Sequence, residues 1–373
     1  MRRIFKGIDK QLLFLFVVLF AFGVVMIYSA SNVTAFYVYD ASASRYFVRQ
    51  SIILLFGAIL FFVAIKIPTK NYYKLAKFSV LVIIFLLIAT LLYSTATNGS
   101  KNWLDIGFIS IQPSEFAKIA IIPFIALFYS NHKDEKDIKF YYPFFIILLI
   151  FVLIVLENDY GTALVFAATS FFTLLFSQIS RRIKIRVAIL GAIAVLLLLV
   201  IVFAGVLPES KMVRLRSNKD PCVMEKYLNE GNQQCNSYIA INSGGFFGKG
   251  LGNSTQKYLY LPEAYTDYIF AIIVEELGLI GGVALIVAYF LLILKIVKIG
   301  KKSSFGYQSC MCYAIAIYLF LHIAINLFGV MGVIPLTGIP LPFVSYGGSF
   351  AICIIAALTI IERTCYESKI SKE

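Results

Sequence analysis

Charge is scarce in this sequence, since Asp, Glu, Lys and Arg make up only 14% of its 373 residues. Soluble globular domains carry about 25% of such residues. Hydrophobic residues reach 60%, well above the proportion in soluble domains. These proportions exclude a soluble enzyme, a disordered scaffold and a collagen-like or disulfide-packed secreted domain. They predict an integral membrane protein.

Histidine is almost absent, with two residues in the whole chain. His132 falls in a predicted loop and His322 in an apolar stretch, which argues against a histidine-rich metal site or a Ser-His-Asp triad. Cys310 and Cys312 lack the second cysteine pair that a zinc or redox site would need. No repeat of about 20 to 50 residues is found, so repeat architectures are not expected.

The net charge of +13 raises the question of nucleic-acid binding. The basic residues sit in short clusters between apolar runs and do not form one stripe, so we expect no nucleic-acid partner. Their placement instead reports membrane topology.

The apolar stretches of this chain can hold ten membrane-spanning helices, each of which needs about 20 residues. Nine apolar stretches can be read from the sequence: 11–30, 51–67, 78–95, 113–130, 141–156, 160–178, 187–207, 268–294 and 303–361. The last stretch is long enough for two spans. We therefore predict an all-α integral membrane protein, a single polytopic domain over residues 1–373.

Alternate loops hold 22 of the 33 basic residues, whereas the opposite short loops hold only Arg45, Arg49 and Lys101. Because positively charged loops stay in the cytoplasm, both termini are predicted to be cytoplasmic. One long segment, 208–266, then lies outside, between the seventh and eighth spans. Cys222 and Cys235 are its only cysteines, and they could form a disulfide in an oxidising compartment.

A glycine-rich tract at 243–252 superficially resembles a nucleotide-binding loop. A P-loop needs Ser or Thr directly after Gly-Lys, where this chain has Gly250, and the GxGxxG spacing is absent. The residues alone favour a flexible, tightly turning surface loop.

Asp267 comes just before the eighth predicted span. We expect Thr266 to cap this helix and Asp267 to lie in its first turn, where the positive end of the helix favours a carboxylate. A dipole-stabilising acid and a functional acid both fit that position. Glu275 and Glu276 lie deeper, where ionised groups are expected to be functional or paired.

The fourth span starts at Pro113 and carries Glu115 and Lys118, whose spacing of three residues allows a structural ion pair. Trp103, the only tryptophan, fits an interfacial anchor. Glu157 and Asp159 lie in a turn that we expect to project from the outer surface. Prolines and glycines between 335 and 348 interrupt the last apolar region, which is tolerated at membrane depth only where protein or a water-filled cavity shields the backbone.

Four strings together resemble the SEDS polymerases, a family named for shape, elongation, division and sporulation. They are 112–116 (Gln-Pro-Ser-Glu-Phe), 243–252, 260–270 and 335–349, in the family's order over nearly the whole chain. The string 252–264 is more similar to the division members than to the elongation members. Asn158, Leu259 and Phe350 depart from the usual family residues, namely Pro, an acid and a small residue.

The resemblance implies a glycosyltransferase that polymerises lipid II into peptidoglycan strands outside the cytoplasmic membrane. It implies a class B penicillin-binding protein and other division proteins as partners, and a location at the division septum. Asp267 matches the family's catalytic aspartate. A divalent cation, Mg²⁺ or Mn²⁺, is left open, with Asp267 as its candidate ligand.

Lipid II and its diphosphate would be bound by residues around Asp267. The candidates for substrate binding are Trp103, Ser114, Glu115, Lys118, Asp159, Arg214, Arg216, Lys249, Glu263 and Ser345. Three alternatives remain open from the sequence: a transporter that flips lipid II, an elongation-type polymerase and a non-catalytic scaffold. A transporter should show two similar halves, which are not found here.

Overall fold

The computed structural model describes residues 7–94, 100–107, 109–132, 137–203, 221–224, 231–262 and 264–371. These residues form a bundle of helices with one short β-hairpin. The helices are α1 Lys10–Tyr37, α2 Arg45–Ala64, α3 Tyr72–Tyr93, α4 Pro113–Asn131, α5 Tyr142–Leu156, α6 Tyr160–Phe176, α7 Arg181–Phe203, α8 Asn232–Gly244, α9 Ile269–Lys302, α10 Gly306–Val330 and α11 Gly348–Ile370. The hairpin pairs β1 Leu104–Ile106 with β2 Ile109–Ile111 in antiparallel register.

Eight helices of the described chain are long and apolar enough to cross a membrane, as expected for a multi-pass membrane protein. They are α1 to α5 and α9 to α11, of which α3 and α5 are extended by a short 3₁₀ turn. Helices α6 and α7 occupy the sixth and seventh predicted spans. The stretch 303–361 does contain two helices, as predicted, and the hairpin is an addition to the expected all-α fold.

Helix α4 lies in the middle of the bundle, because it packs against α3, α6, α10 and α11. Its sequence explains this position: it is the least apolar of the predicted spans, and nearly every one of its side chains is buried. A helix with polar groups such as Glu115 and Lys118 is better placed among other helices than against lipid.

The two ends of the bundle differ in character. One end, here called the site end, gathers the hairpin, the segment before α9 and the irregular segment 331–347. At the other end, here called the basic end, Asp9 caps α1, Lys295 pairs with Asp9 at 3.0 Å, and Arg363 donates to the carbonyl of Ile65.

The glycine-rich tract turns tightly at the surface, as expected, but it is also docked on α9 by backbone hydrogen bonds, which was not expected. Helix α9 is broken at Gly278, where φ is 71°, and the backbone groups freed by the break bond to the tract. The Lys249 and Gly250 N–H groups donate to the carbonyls of Glu275 and Glu276, both at 2.9 Å, and Leu279 N–H donates to Gly245 at 2.8 Å. A broken helix in an apolar bundle needs such partners, and the tract supplies them.

The close backbone approach explains why glycine is needed in this tract. A Cβ atom on Gly248 would lie 2.2 Å from the carbonyl oxygen of Glu276, whereas one on Gly252 would meet nothing within 4 Å. Both residues have positive φ, 79° and 82°. An alanine at either position would therefore have the same unfavourable backbone conformation, and only the space for its Cβ atom differs.

We predict that Gly248→Ala destabilises the protein more than Gly252→Ala. Both variants incur the positive-φ cost of about 1–2 kcal/mol, and Gly248→Ala adds an overpacking cost of about 1–3 kcal/mol. Thermal unfolding of the purified proteins in detergent measures the difference. Equal melting temperatures would show that the tract does not pack against α9 as described.

Candidate functional site

Asp267 lies at the site end, in a turn that leads into α9, and its side chain is half-buried. The helix begins at Ile269 with Tyr268 as its N-cap residue. The helix therefore begins two residues later than expected: Thr266 is not its cap, and Asp267 does not lie in its first turn. Asp267 instead precedes the helix, in irregular backbone that must be held by other contacts.

Two buried side chains hold the backbone around Asp267. The Asn326 amide of α10 donates to the carbonyl of Asp267 at 2.8 Å and to that of Ile339 at 2.9 Å. The Ser345 hydroxyl donates to the carbonyl of Thr266 at 2.6 Å and accepts from Leu341 N–H at 2.8 Å. Ser345, a predicted substrate-binding residue, thus links the Asp267 turn to the irregular segment.

The irregular segment 331–347 lies beside Asp267, as the prolines and glycines in this region suggested. Tyr346 N–H donates to the carbonyl of Tyr265 at 3.0 Å. Gly338 has a φ of 73°, and a Cβ atom there would lie 3.5 Å from Oδ2 of Asp267. The absence of a side chain at Gly338 leaves room next to the carboxylate.

Lys118 and Glu115 form the predicted ion pair, with Nζ and Oε1 2.7 Å apart. Both side chains are buried, and Lys118 Nζ is also 3.2 Å from His322 Nε2. Among the described residues, Glu115 Oε2 and the buried Ser114 hydroxyl have no hydrogen-bonding partner. The ion pair therefore has a structural role, but it leaves one carboxylate oxygen of Glu115 unsatisfied beside the Lys118 ammonium group.

His322 and Asn326 were not predicted as site residues. They lie four residues apart on α10 and so on one face of that helix, where His322 contacts Lys118 and Asn326 contacts Asp267. The signal in the sequence was two polar residues at helical spacing inside an apolar span. Together they connect the buried lysine with the turn that carries the aspartate.

Asp159 joins the hairpin to α4 and α6. As the N-cap of α6, its Oδ1 accepts from Thr162 N–H at 3.0 Å, while Oδ2 accepts from Asn102 at 2.7 Å and from Gln112 at 3.1 Å. Trp103 follows Asn102 and is 36% exposed. Both predicted residues therefore lie at the site end, and the carboxylate of Asp159 is already engaged by protein donors.

Glu157 does not project from the surface, contrary to expectation. It is fully buried, and neither carboxylate oxygen has a hydrogen-bonding partner among the described residues. Burial, together with the nearby negative charge of Asp159, raises the pKa of Glu157 to about 8. The side chain therefore holds its proton at neutral pH.

Lys249 and Glu275 are partners in the glycine-rich region, 2.7 Å apart. Glu275 also accepts from the hydroxyls of Ser254 at 2.5 Å and Thr255 at 2.7 Å. Glu276 pairs with the buried Lys257 at 3.1 Å. Glu275 and Glu276 were expected to be either functional or paired, and both are paired. Lys249 therefore has a structural partner besides its predicted role with substrate.

Cys222 and Cys235 are disulfide-bonded, as the sequence allowed. Cys235 lies on α8, whose Asn236 donates to the carbonyl of Tyr260 at 2.7 Å. The bridge therefore ties residues 221–224 to a helix that holds the chain leading to Asp267. Cys353 and Cys365, like Cys310 and Cys312, are buried free thiols.

Arg214, Arg216 and Glu263 lie outside the described residues. Within the described ranges, no group of three or more His, Cys, Asp or Glu side chains could hold a metal ion.

Two departures from the family pattern coincide with unusual backbone. Asn158 and Leu259 have φ values of 61° and 67°. Proline cannot adopt a positive φ, so the turn between α5 and α6 differs here from one built on the usual proline. Asparagine tolerates this conformation better than most residues.

Comparisons with known proteins match this sequence to one family. The chain matches the cell cycle protein family FTSW_RODA_SPOVE over residues 10–370. It is 36% identical over 370 residues to the probable peptidoglycan glycosyltransferase FtsW of Bacillus subtilis strain 168, covering 97% of this chain and 91% of that protein. The FtsW of Coxiella burnetii is also 36% identical, with 94% of each chain covered.

A solved structure shares the fold. It is described as "Structural coordination of polymerization and crosslinking by a peptidoglycan synthase complex", and it superposes with a TM-score of 0.77 at 23% identity. The match covers 97% of this chain and 98% of that one.

We predict that Glu157→Gln flattens the pH dependence of stability. Between the ordinary carboxyl pKa of 4.5 and about 8, the folded state keeps a proton that the unfolded state releases, so wild-type stability falls as the pH rises through this window. Glutamine is neutral throughout and removes this effect.

Thermal unfolding at about pH 5.5 and about pH 8.5 tests this prediction. The melting temperature should fall less in Glu157→Gln than in wild type. Asp105→Asn, which removes an exposed carboxyl at the same end, is the matched control and should behave like wild type. An identical pH dependence in all three proteins would contradict the burial of Glu157.

Proposed function

This chain belongs to the FtsW, RodA and SpoVE family of cell cycle proteins, and on that basis we propose that it polymerises lipid II into peptidoglycan strands. It is a peptidoglycan glycosyltransferase of the membrane. The observation that carries the proposal is the half-buried carboxylate of Asp267, held in a turn at one end of the bundle by Asn326 and Ser345.

The proposed role is in cell division. The relatives of this chain at 36% identity are named FtsW, and the family is described as cell cycle proteins. The resemblance of the string 252–264 to the division members supports the same assignment. We place the enzyme at the division septum on these grounds.

The proposed topology has ten spans, cytoplasmic termini and the Asp267 end outside the cell. It is supported by the alternation of basic loops, because positive charge stays in the cytoplasm. Lipid II carries its disaccharide at the membrane surface while its tail stays in the bilayer. An active site at the end of the bundle suits such a substrate.

Asp267 is proposed to act as the general base. Its carboxylate takes the proton from the 4-hydroxyl of the acceptor sugar, and the resulting oxygen attacks the anomeric carbon of the donor. The new glycosidic bond forms as the bond from that carbon to the diphosphate breaks, with inversion, and the lipid diphosphate leaves. The space left by Gly338 gives a sugar hydroxyl room to approach the carboxylate.

Lys118 is proposed to stabilise the diphosphate as negative charge develops on it. An ammonium group in a water-poor site is more effective than one in water. His322 and Glu115 hold the Lys118 side chain in one position, which lowers the reorganisation needed during the reaction. Arg214 and Arg216 are proposed as further phosphate ligands, and Trp103 and Glu263 as sugar or peptide contacts.

The remaining predicted residues are proposed to act mainly by positioning the site. Asp159 fixes the hairpin, Ser345 fixes the Asp267 turn and Lys249 fixes the glycine-rich tract. The proposed protein partner is a class B penicillin-binding protein, together with other division proteins. Support comes from the solved relative, which is part of a complex for polymerization and crosslinking.

We predict that Asp267→Asn abolishes polymerisation without unfolding the protein. Asparagine keeps the shape of the side chain but cannot take up a proton at neutral pH, and loss of a general base costs about 10²- to 10⁴-fold in rate. The assay gives purified protein lipid II together with a partner whose own active site is disabled, and measures glycan chains.

Asp105→Asn is the matched control, because it makes the same chemical change at an exposed position of the same end. It should retain wild-type activity. If Asp267→Asn polymerises lipid II at a rate within about threefold of wild type, the assignment is wrong, because the loss of a general base costs at least about 100-fold in rate. Glycan synthesis by the wild-type protein would also rule out a transporter or a scaffold.

We predict that a cysteine at position 230 is labelled from outside intact cells, and one at position 135 only after permeabilisation. The native chain is its own control, because its four free cysteines are buried and the other two are disulfide-bonded. The single substitutions Glu230→Cys and Glu135→Cys can therefore be made in the native sequence. External labelling at position 135 would overturn the topology.

A further inference from the structure

A cleft of about 480 Å³ lies at the basic end, between the first turns of α1 and the last turns of α9. It is remote from the Asp267 turn and has no part in the proposed reaction. Its polar lining includes Lys10, Lys295 and Lys298, and its apolar lining includes Phe14, Leu291 and Leu294. Three lysines above an apolar wall form an amphipathic site.

The apolar wall faces away from the bundle. The exposed fractions of Phe14, Leu291 and Leu294 are 66%, 50% and 38%, so these side chains are open to a hydrocarbon environment. The wall continues toward the middle of the bundle through Val18 on α1 and Val287 on α9, which are 44% and 48% exposed. An acyl chain could follow this track between the two helices.

The charges at the mouth of the cleft are only partly neutralised within the protein. Lys295 pairs with Asp9 at 3.0 Å and donates to Gln11 at 2.7 Å, so its ammonium group is fixed. Partial burial works to raise the pKa of Asp9, but the Lys295 ammonium and the N–H groups of α1 hold it below its usual value. Asp9 is therefore ionised and offsets Lys295.

Lys10 and Lys298 carry the uncompensated charge. Neither forms an ion pair within the described part of the chain, and both side chains are exposed at the cleft. They stand on opposite walls, one on each helix, so an anion in the mouth of the cleft could meet both. Basic clefts between membrane helices at headgroup depth are suited to acidic lipid headgroups.

We infer that this cleft binds an anionic phospholipid. The headgroup phosphate lies between Lys10 and Lys298 beside Lys295, and the acyl chains lie along Phe14, Leu291 and the valines beyond. A free phosphate would make no use of the apolar wall below the lysines, and an uncharged apolar helix would leave Lys10 and Lys298 without partners. A lipid with one negative charge matches both parts of the cleft.

The test measures binding of single lipids to the purified full chain in detergent by native mass spectrometry. The probes are phosphatidylglycerol and phosphatidylcholine with identical acyl chains. Wild type should bind the first phosphatidylglycerol more tightly than phosphatidylcholine. A lysine near an anionic headgroup is worth about fivefold in affinity, so Lys10→Gln with Lys298→Gln should weaken phosphatidylglycerol binding about 30-fold and leave phosphatidylcholine unchanged.

The matched control is Lys301→Gln with Lys302→Gln. It also removes two positive charges from the basic end of the bundle, but neither residue lines the cleft. Its affinity for phosphatidylglycerol should stay within about threefold of wild type, because charge outside contact range is screened. Leu294→Trp is a second variant that fills the cleft and keeps all lysines, and it should weaken binding of both lipids.

Three results would overturn the inference. They are equal binding of the two lipids by wild type, equal losses in the cleft variant and its control, and displacement of phosphatidylglycerol by soluble glycerol 3-phosphate. The first indicates an apolar groove only, the second a general surface charge and the third a phosphate site without a lipid. None of these readouts depends on glycosyltransferase activity.

Discussion

Charged groups inside an apolar bundle need partners there, and this constraint organises the structure around Asp267. Glu275 and Glu276 lie deep in α9, where an unpaired carboxylate would be costly. Lys249 of the glycine-rich tract and Lys257, which follows the tract in the chain, neutralise them. Docking of the tract in turn satisfies the backbone groups released at the break in α9. The chain that leaves the tract runs directly into the Asp267 turn.

Helix α10 positions two parts of the site. Its Asn326 holds the backbone of the Asp267 turn, and its His322 contacts the Lys118 ammonium group of the central helix α4. Asp267 itself remains half-buried, with a glycine opposite its carboxylate. A fixed backbone with an accessible carboxylate is what a general base requires, because the acceptor hydroxyl must reach it in one geometry.

The two ends of the bundle are suited to different partners. The site end collects carboxylates, a hairpin and irregular backbone, which fits the sugars and diphosphate of a lipid-linked substrate. The basic end collects lysines over an apolar cleft, which fits the headgroup and chains of an acidic phospholipid.

The sequence by itself determined the membrane class, the helices and the family, because long apolar runs and short motifs are local features. It also indicated the Glu115–Lys118 pair and the Cys222–Cys235 disulfide, which depend on short separations along the chain. It failed where distant segments meet. The burial of Glu157, the ordered packing of the glycine-rich tract and the roles of His322 and Asn326 were decided by the tertiary structure. Their energies come from contacts between segments far apart in the chain, and residue spacing carries no information about such contacts.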